Sequence, residues 1–244
     1  MFYHLDTIPV WDAVKQDSAC PICYLRNSIE EKDVERFLGG SVMEPDVRIR
    51  VNALGFCPHH HRMLYALQNR LGHALLMQTR LQTVRSDVMQ ILENAANGVK
   101  PKLFKGDKSG ILSASADQIE KQMNGCIICD SISENIARYG KTLMHLYKTD
   151  ESFRKAFAAS KGFCMHDLPL ILRLADENLS GDTLKDFLQT LYGIQKRELD
   201  QLQSDVDGFC VKFDYRNKDK PWGTSKGSLE RSVNKLRGYT FEEK

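Results

Sequence analysis

Six of the seven cysteines in this 244-residue chain fall into two sets of the same form. The first is Cys20-Pro21-Ile22-Cys23 with Gly55-Phe56-Cys57-Pro58-His59, and the second is Cys126-Ile127-Ile128-Cys129 with Gly162-Phe163-Cys164-Met165-His166. The shift is 106 residues from Cys20 to Cys126 and 107 from Cys57 to Cys164. Core cysteines have no reason to recur in register, whereas side chains that converge on an ion do. A CxxC places two thiolates on one face of a helix or around a tight turn, where both reach one metal.

Each copy offers three cysteines and a histidine, a closed tetrahedral set of the kind that holds structural zinc. The expected ligands are Cys20, Cys23, Cys57 and His59 in one copy and Cys126, Cys129, Cys164 and His166 in the other, with two zinc ions per chain. Iron is the alternative metal. His59 is chosen from three adjacent histidines because His166 aligns with it, whereas His60 aligns with Asp167 and His61 with Leu168. The rival register uses His60 and Asp167. Cys-x-His spans only two residues, which point apart on a regular helix. The spacing works if Cys57 is an N-cap and Pro58 the first helical residue, a position proline favours.

A closed ligand set leaves no position for a reacting water, and no HExxH, deaminase or phosphate-loop motif accompanies it. No catalytic residue is assigned. A redox dithiol is the competing chemistry, but that use of CxxC belongs at a strand-to-helix junction, and no strand pattern precedes either motif. Cys210, in a third Gly-Phe-Cys, has no partner motif and reads as a buried thiol. His73 and His145 read as ordinary helix residues.

Charge and hydropathy bound the rest. With 34 basic and 32 acidic residues the net charge is +2, too little to draw in nucleic acid or an anionic membrane. No signal peptide and no bilayer-spanning run is read. Clustered cysteines without an export signal point to a cytoplasmic setting and to metal chemistry, not a disulfide framework.

The elements that must position these residues are helical throughout. Ile8-Pro9-Val10-Trp11 reads as an extended apolar entry. A helix follows from Cys20 to Gly39-Gly40, and Pro45 opens a short one with Val47, Ile49, Val51 and Leu54 inward. The longest periodic run carries Leu64, Leu67, Leu71, Leu75, Leu81, Val84, Val88 and Ile91-Leu92 at mostly three- and four-residue steps. Continuous from Pro58 to Ala96 it would be about 58 Å long, with a bend placed at Gly72. In the second copy a helix from Cys126 is expected to break near Gly140. Asp150 caps a short helix, and Ser180-Gly181-Asp182 interrupts the next.

At the shift of 107, Leu81-Gln82-Thr83-Val84 falls on Leu188-Gln189-Thr190-Leu191, so residues 20–92 correspond to 126–199. The expected fold is all-α, with duplicated metal-pinned helical lobes and long antiparallel helices. The first lobe is 1–98, the basic linker 99–117, and the second lobe 118–210. The final segment, 211–244, is aromatic and basic, with nine Lys and Arg against five Asp and Glu. It reads as a loop pinned by Phe213, Tyr215 and Trp222 and followed by a capping helix. If the chain has a binding surface, Tyr215, Arg216 and Trp222 are its candidates.

The order IPVWDA, CPIC, GFCxH, second CxxC and GFCxH, DYRNKDKPWG and RSxNKL resembles an uncharacterised bacterial family of cytoplasmic helical proteins. The resemblance covers nearly the whole chain; the second copy departs from CPIC, with Ile127 in place of the proline. It implies metal binding and no established activity. Three functions follow for testing. The first is a non-enzymatic zinc-stabilised adaptor or regulatory module with a protein partner and no membrane. The second is nucleic-acid binding through the C-terminal segment, and the third a thiol redox protein or metalloenzyme.

Overall fold

The computed structural model describes residues 3–98, 110–217, 219 and 221–241. Among them the chain forms eleven α-helices, three short 3-10 turns and no strand, so the fold is all-α. Two units divide it. One takes residues 1–28 and 134–244, the other 29–133. These units differ from the expected lobes 1–98 and 118–210, because the first CxxC lies with the second half of the chain. The boundaries fall inside α2 (Pro21–Leu38) and α7 (Ile127–Thr149). Of the expected linker, residues 99–109 lie outside the described residues, and from Ile111 onward it is already helical, in α6 (Ile111–Met123).

In the first unit, α1 (Tyr3–Lys15) replaces the expected extended entry, with Pro9 inside the helix. Proline there removes one backbone hydrogen bond. Burial of Val10, Ala13 and Val14 offsets that cost, as does the edge of Trp11 against Phe153 at 5.1 Å. The core is aromatic. Phe157 sits 5.6 Å from Phe187 in a stack and 5.6 Å from Tyr147 edge-on. These rings come from α7, α8 (Glu151–Ala159) and α10 (Gly181–Val211). Asp150 caps α8 as expected, accepting from Ser152 N–H at 2.8 Å and Phe153 N–H at 3.2 Å. The break between α9 (Leu168–Asn178) and α10 also falls where Ser180-Gly181 places it. The break expected at Gly140 does not occur. That glycine is where Leu174 packs onto α7, and a Cβ there would come within 2.3 Å of Leu174 Cδ1.

In the second unit the long apolar run divides into α4 (Pro58–Ala66) and α5 (Arg70–Gly98). The break comes before Gly72, at Gln68, whose φ is 63°. Asn69 explains it: its side chain accepts from Gly72 N–H at 2.9 Å and donates to Leu38 O at 2.6 Å, starting a new helix. Only Leu64, Leu76 and Ala95 of the run are buried apolar side chains, while Leu71, Leu81 and Leu92 are exposed. On α3 (Pro45–Leu54) Val51 is buried and Ile49 exposed.

Candidate metal centres

The four cysteine motifs share one local geometry. Cys20 and Cys126 directly precede α2 and α7, and Cys57 is the N-cap of α4. The carbonyl of each motif's first cysteine accepts from the N–H four residues on, Tyr24, His61, Asp130 and Leu168 for Cys20, Cys57, Cys126 and Cys164. That bond closes one helical turn at each motif (for Cys164 a turn ahead of α9, whose N-cap is Asp167), and residue i+3 stands on the same side of the turn as residue i. Cys23 and Cys129 stand at that position, and so do His60 and Asp167. Both GFC glycines make the turn into their cysteine at positive φ, 69° at Gly55 and 70° at Gly162, a conformation open to glycine at little cost.

Two clusters result, each with ligand atoms within 4.8 Å of one another: Cys57, His60, Cys126 and Cys129, and Cys20, Cys23, Cys164 and Asp167. Either could hold a metal ion. Each CxxC therefore stands beside the Cys57 or Cys164 motif of the opposite copy. The expected sets, Cys20 and Cys23 with Cys57 and His59, and Cys126 and Cys129 with Cys164 and His166, are not gathered. Local spacing constrains each motif alone, and tertiary packing selects the pairs.

In the second unit, His60 Nδ1 lies 3.1 Å from Cys57 Sγ, 3.2 Å from Cys126 Sγ and 3.5 Å from Cys129 Sγ. Cys57 Sγ and Cys129 Sγ are 3.9 Å apart. At zinc–sulfur lengths of about 2.3 Å a tetrahedral S···S edge is about 3.8 Å, so the donors surround a space of the right size. His60 Nε2 lies 2.9 Å from Glu30 Oε1, which fixes its donor nitrogen on that side and leaves Nδ1 for the sulfurs. The His60 side chain is 3% exposed and that of His59 59% exposed. His59 turns outward to the same Glu30 oxygen at 3.0 Å, so Glu30, His59 and His60 form a third, overlapping acidic–histidine group. Burial lowers the proton affinity of His60, but the Cys126 thiolate and Glu30 outweigh it and push its pKa up to about 10. His61 is half-buried and bonds His73, Nδ1 to Nε2 at 3.1 Å.

In the first unit, Asp167 Oδ2 faces all three sulfurs, 3.6 Å from Cys20, 3.3 Å from Cys23 and 3.3 Å from Cys164. Cys23 Sγ and Cys164 Sγ are 3.7 Å apart. Its other oxygen accepts from Arg26 at 2.7 Å and lies 3.1 Å from His166 Nδ1. His166 thus orients Asp167 from an exposed position. Burial raises the Asp167 pKa, yet the Arg26 guanidinium overcomes this and holds it near about 2. The Tyr239 N–H donates to Cys23 Sγ at 3.4 Å.

The C-terminal candidates lie apart from both clusters. Tyr215 is 80% exposed, and Arg216 is paired with Asp214 at 2.6 Å. Trp222 packs 5.5 Å from Phe209. Phe213 is exposed on its outer side but its ring lies 5.3 Å from Phe209, and Asp205 adds polar ties, accepting from Thr224 at 2.6 Å and from Arg231 at 2.9 Å. Lys218 and Lys220 lie outside the described residues. Cys210 is exposed near the end of α10, contrary to the expected buried thiol.

Residues 1–243 match the model of a family of unknown function, DUF6062, and the chain belongs to that family. It is 22% identical over 202 residues to an uncharacterized 23.9 kDa protein in the xynA 3' region of Caldicellulosiruptor sp. (strain Rt8B.4), covering 83% of this chain and 86% of that protein. No solved structure matches the chain. Among the described residues no helix is long and apolar enough to cross a membrane.

Proposed function

We propose that this protein is a non-enzymatic, zinc-stabilised binding module with two structural zinc ions per chain. One ion is held by Cys57, His60, Cys126 and Cys129, the other by Cys20, Cys23, Cys164 and Asp167. The observation that carries the reading is the two-sided histidine, with three sulfurs within 3.5 Å of His60 Nδ1 and a carboxylate on Nε2. A ligating histidine held by a carboxylate in this way is the common design of protein zinc sites. The charges are also balanced. Three thiolates and a neutral imidazole leave one negative charge around a divalent ion. Replacing the imidazole by Asp167 adds another, and Arg26 offsets it.

On this reading the chain is an internal duplication whose copies exchange half-sites, so each ion ties residues more than 60 positions apart. Zinc sites of this kind contribute folding free energy directly. Four protein ligands close each site to a reacting water, which favours scaffold over catalyst. The module then serves to present surface to a protein partner, in a reducing compartment such as the cytoplasm. Elemental analysis of protein purified under reducing conditions tests this. About two zinc ions per chain are expected, with one lost in Cys57→Ser and one in Cys164→Ser. Metal-free wild-type protein overturns it, and iron in place of zinc overturns the assignment of the ion.

A further inference from the structure

Solvent reaches the two clusters unequally. Cys20, Cys23, Cys164 and Asp167 are all buried. The turn at Gly238-Tyr239 also covers their sulfurs: a Cβ at Gly238 would lie 3.5 Å from Cys23 Sγ and 4.0 Å from Cys164 Sγ. In the other cluster Cys129 is exposed and Cys57 half-exposed, while Cys126 and His60 are buried. The exposed sulfur has a neighbour suited to resolve it, Cys57 Sγ at 3.9 Å. Cys126 is engaged from the interior by His60 Nδ1 at 3.2 Å.

We propose that the Cys57, His60, Cys126 and Cys129 cluster is an oxidation site for small peroxides, where Cys129 and Cys57 join as a disulfide and the cluster releases its ion. The Cys20 cluster keeps its own ion. The inference rests on the metal reading above. The Cys129 thiolate attacks one oxygen of hydrogen peroxide; an S–O bond forms, the O–O bond breaks, and hydroxide leaves and takes a proton from solvent as water. The Cys57 thiolate then attacks the resulting sulfenic sulfur, the S–O bond breaks, and a second hydroxide leaves and is protonated. Two sulfurs have lost two electrons, the peroxide has gained them, and the divalent ion departs with two of its four ligands gone. Exposure helps set which cysteines enter this ladder, and of the six clustered cysteines Cys129 is exposed and Cys57 half-exposed while the other four are buried; as ligands of an ion both would be held as thiolates.

The test uses the full chain as Cys210→Ser, which removes the exposed thiol outside the clusters. Metal content is measured first on reduced protein; absence of bound metal there would sink the metal reading itself. Hydrogen peroxide is then added with a chromophoric zinc chelator, and cysteine pairs are mapped by mass spectrometry. One of the two equivalents should be released about ten-fold faster than the other, given the difference in thiol exposure. A Cys57–Cys129 disulfide should accompany it, and dithiothreitol with zinc should reverse both. Equal release of both equivalents would overturn the proposal. So would a first disulfide involving Cys20, Cys23, Cys164 or Cys126, or metal loss with no disulfide. In each of these cases the initial metal content leaves the zinc reading standing.

Discussion

Glu30 Oε1 lies 2.9 Å from His60 Nε2, on the side of the ring away from the three sulfurs. A histidine can offer a metal only one nitrogen at a time, and the hydrogen bond at the other decides which. Glu30 makes that decision for His60. It accepts from His59 as well, at 3.0 Å, but His59 presents no nitrogen to a sulfur.

Three substitutions separate these roles. His60→Ala should lose one metal equivalent, while His59→Ala keeps both. Glu30→Gln should keep the ligand and weaken the site about 10- to 100-fold, the usual cost of removing a carboxylate behind a metal histidine. Competition titration with a chromophoric chelator reads all three. Loss of metal in His59→Ala with retention in His60→Ala would restore the Cys-x-His ligand pair.

The other cluster makes a different demand, because the fourth residue beside its three cysteines is an acid. Arg26, one turn beyond Cys23, makes this tolerable through its 2.7 Å and 3.2 Å bonds to Asp167. Arg26→Met should therefore weaken this site selectively. Asp167→His, which recreates the ligand set of the other cluster, should bind metal and be indifferent to Arg26→Met. Metal affinities of the two single variants and the double variant form the cycle. Equal sensitivity to Arg26→Met in both backgrounds would remove the charge argument.

The helical fold and the residue types that cluster were legible because both are local. Periodicity announces α10 and the helical run that Gln68-Asn69 divides into α4 and α5, and the caps at Asp150 and Ser180-Gly181 need only neighbouring residues. The partner of each CxxC was not legible. Nothing in Cys20-Pro21-Ile22-Cys23 distinguishes Cys57 from Cys164, since that choice is made by helix packing. One signal was present: within one helical turn, residues i and i+3 share a side, and i and i+2 do not. That rule selects His60 over His59 and Asp167 over His166. The repeat argued the other way, because alignment prefers histidine over histidine and an Asp among three cysteines looks foreign until Arg26 is seen beside it.

Asp205 predicts an acid-dependent loosening of the C-terminal segment. Burial raises its pKa, but the bonds from Thr224, Gln201 and Arg231 outweigh this and the net shift is downward. A carboxyl depressed on folding adds stability that is fully present above its unfolded value, near about 4, and is lost as pH falls through the folded value. At neutral pH Asp205→Asn should cost about 1–2 kcal/mol, the worth of hydrogen bonds to a charged group after allowance for the part-exposed Arg231. The wild-type advantage should shrink as pH drops below about 4. Urea unfolding of both proteins across that range measures it; a gap that widens in acid has the wrong sign.

Gly125 is the residue at which backbone approach brings the Cys57 and Cys126 turns together. A Cβ there would lie 2.6 Å from Leu54 O and 3.1 Å from Leu54 Cα, both backbone atoms that no rotamer change can clear. The same approach allows Ile127 N–H to donate to Gly55 O at 3.1 Å, which ties the turn before Cys126 to the turn before Cys57. Gly125→Ala should force these turns apart and lower metal affinity at the Cys57 cluster, with the Cys20 cluster still loaded. Gly140→Ala is the matched control, since its clash is with Leu174 Cδ1, the end of a flexible side chain. Moving that methyl costs some packing, against a gain of up to about 1 kcal/mol in helix propensity. Both metal equivalents should remain in Gly140→Ala. Full metal loading with unchanged affinity in Gly125→Ala would show that the two turns do not need this contact to hold their cysteines together.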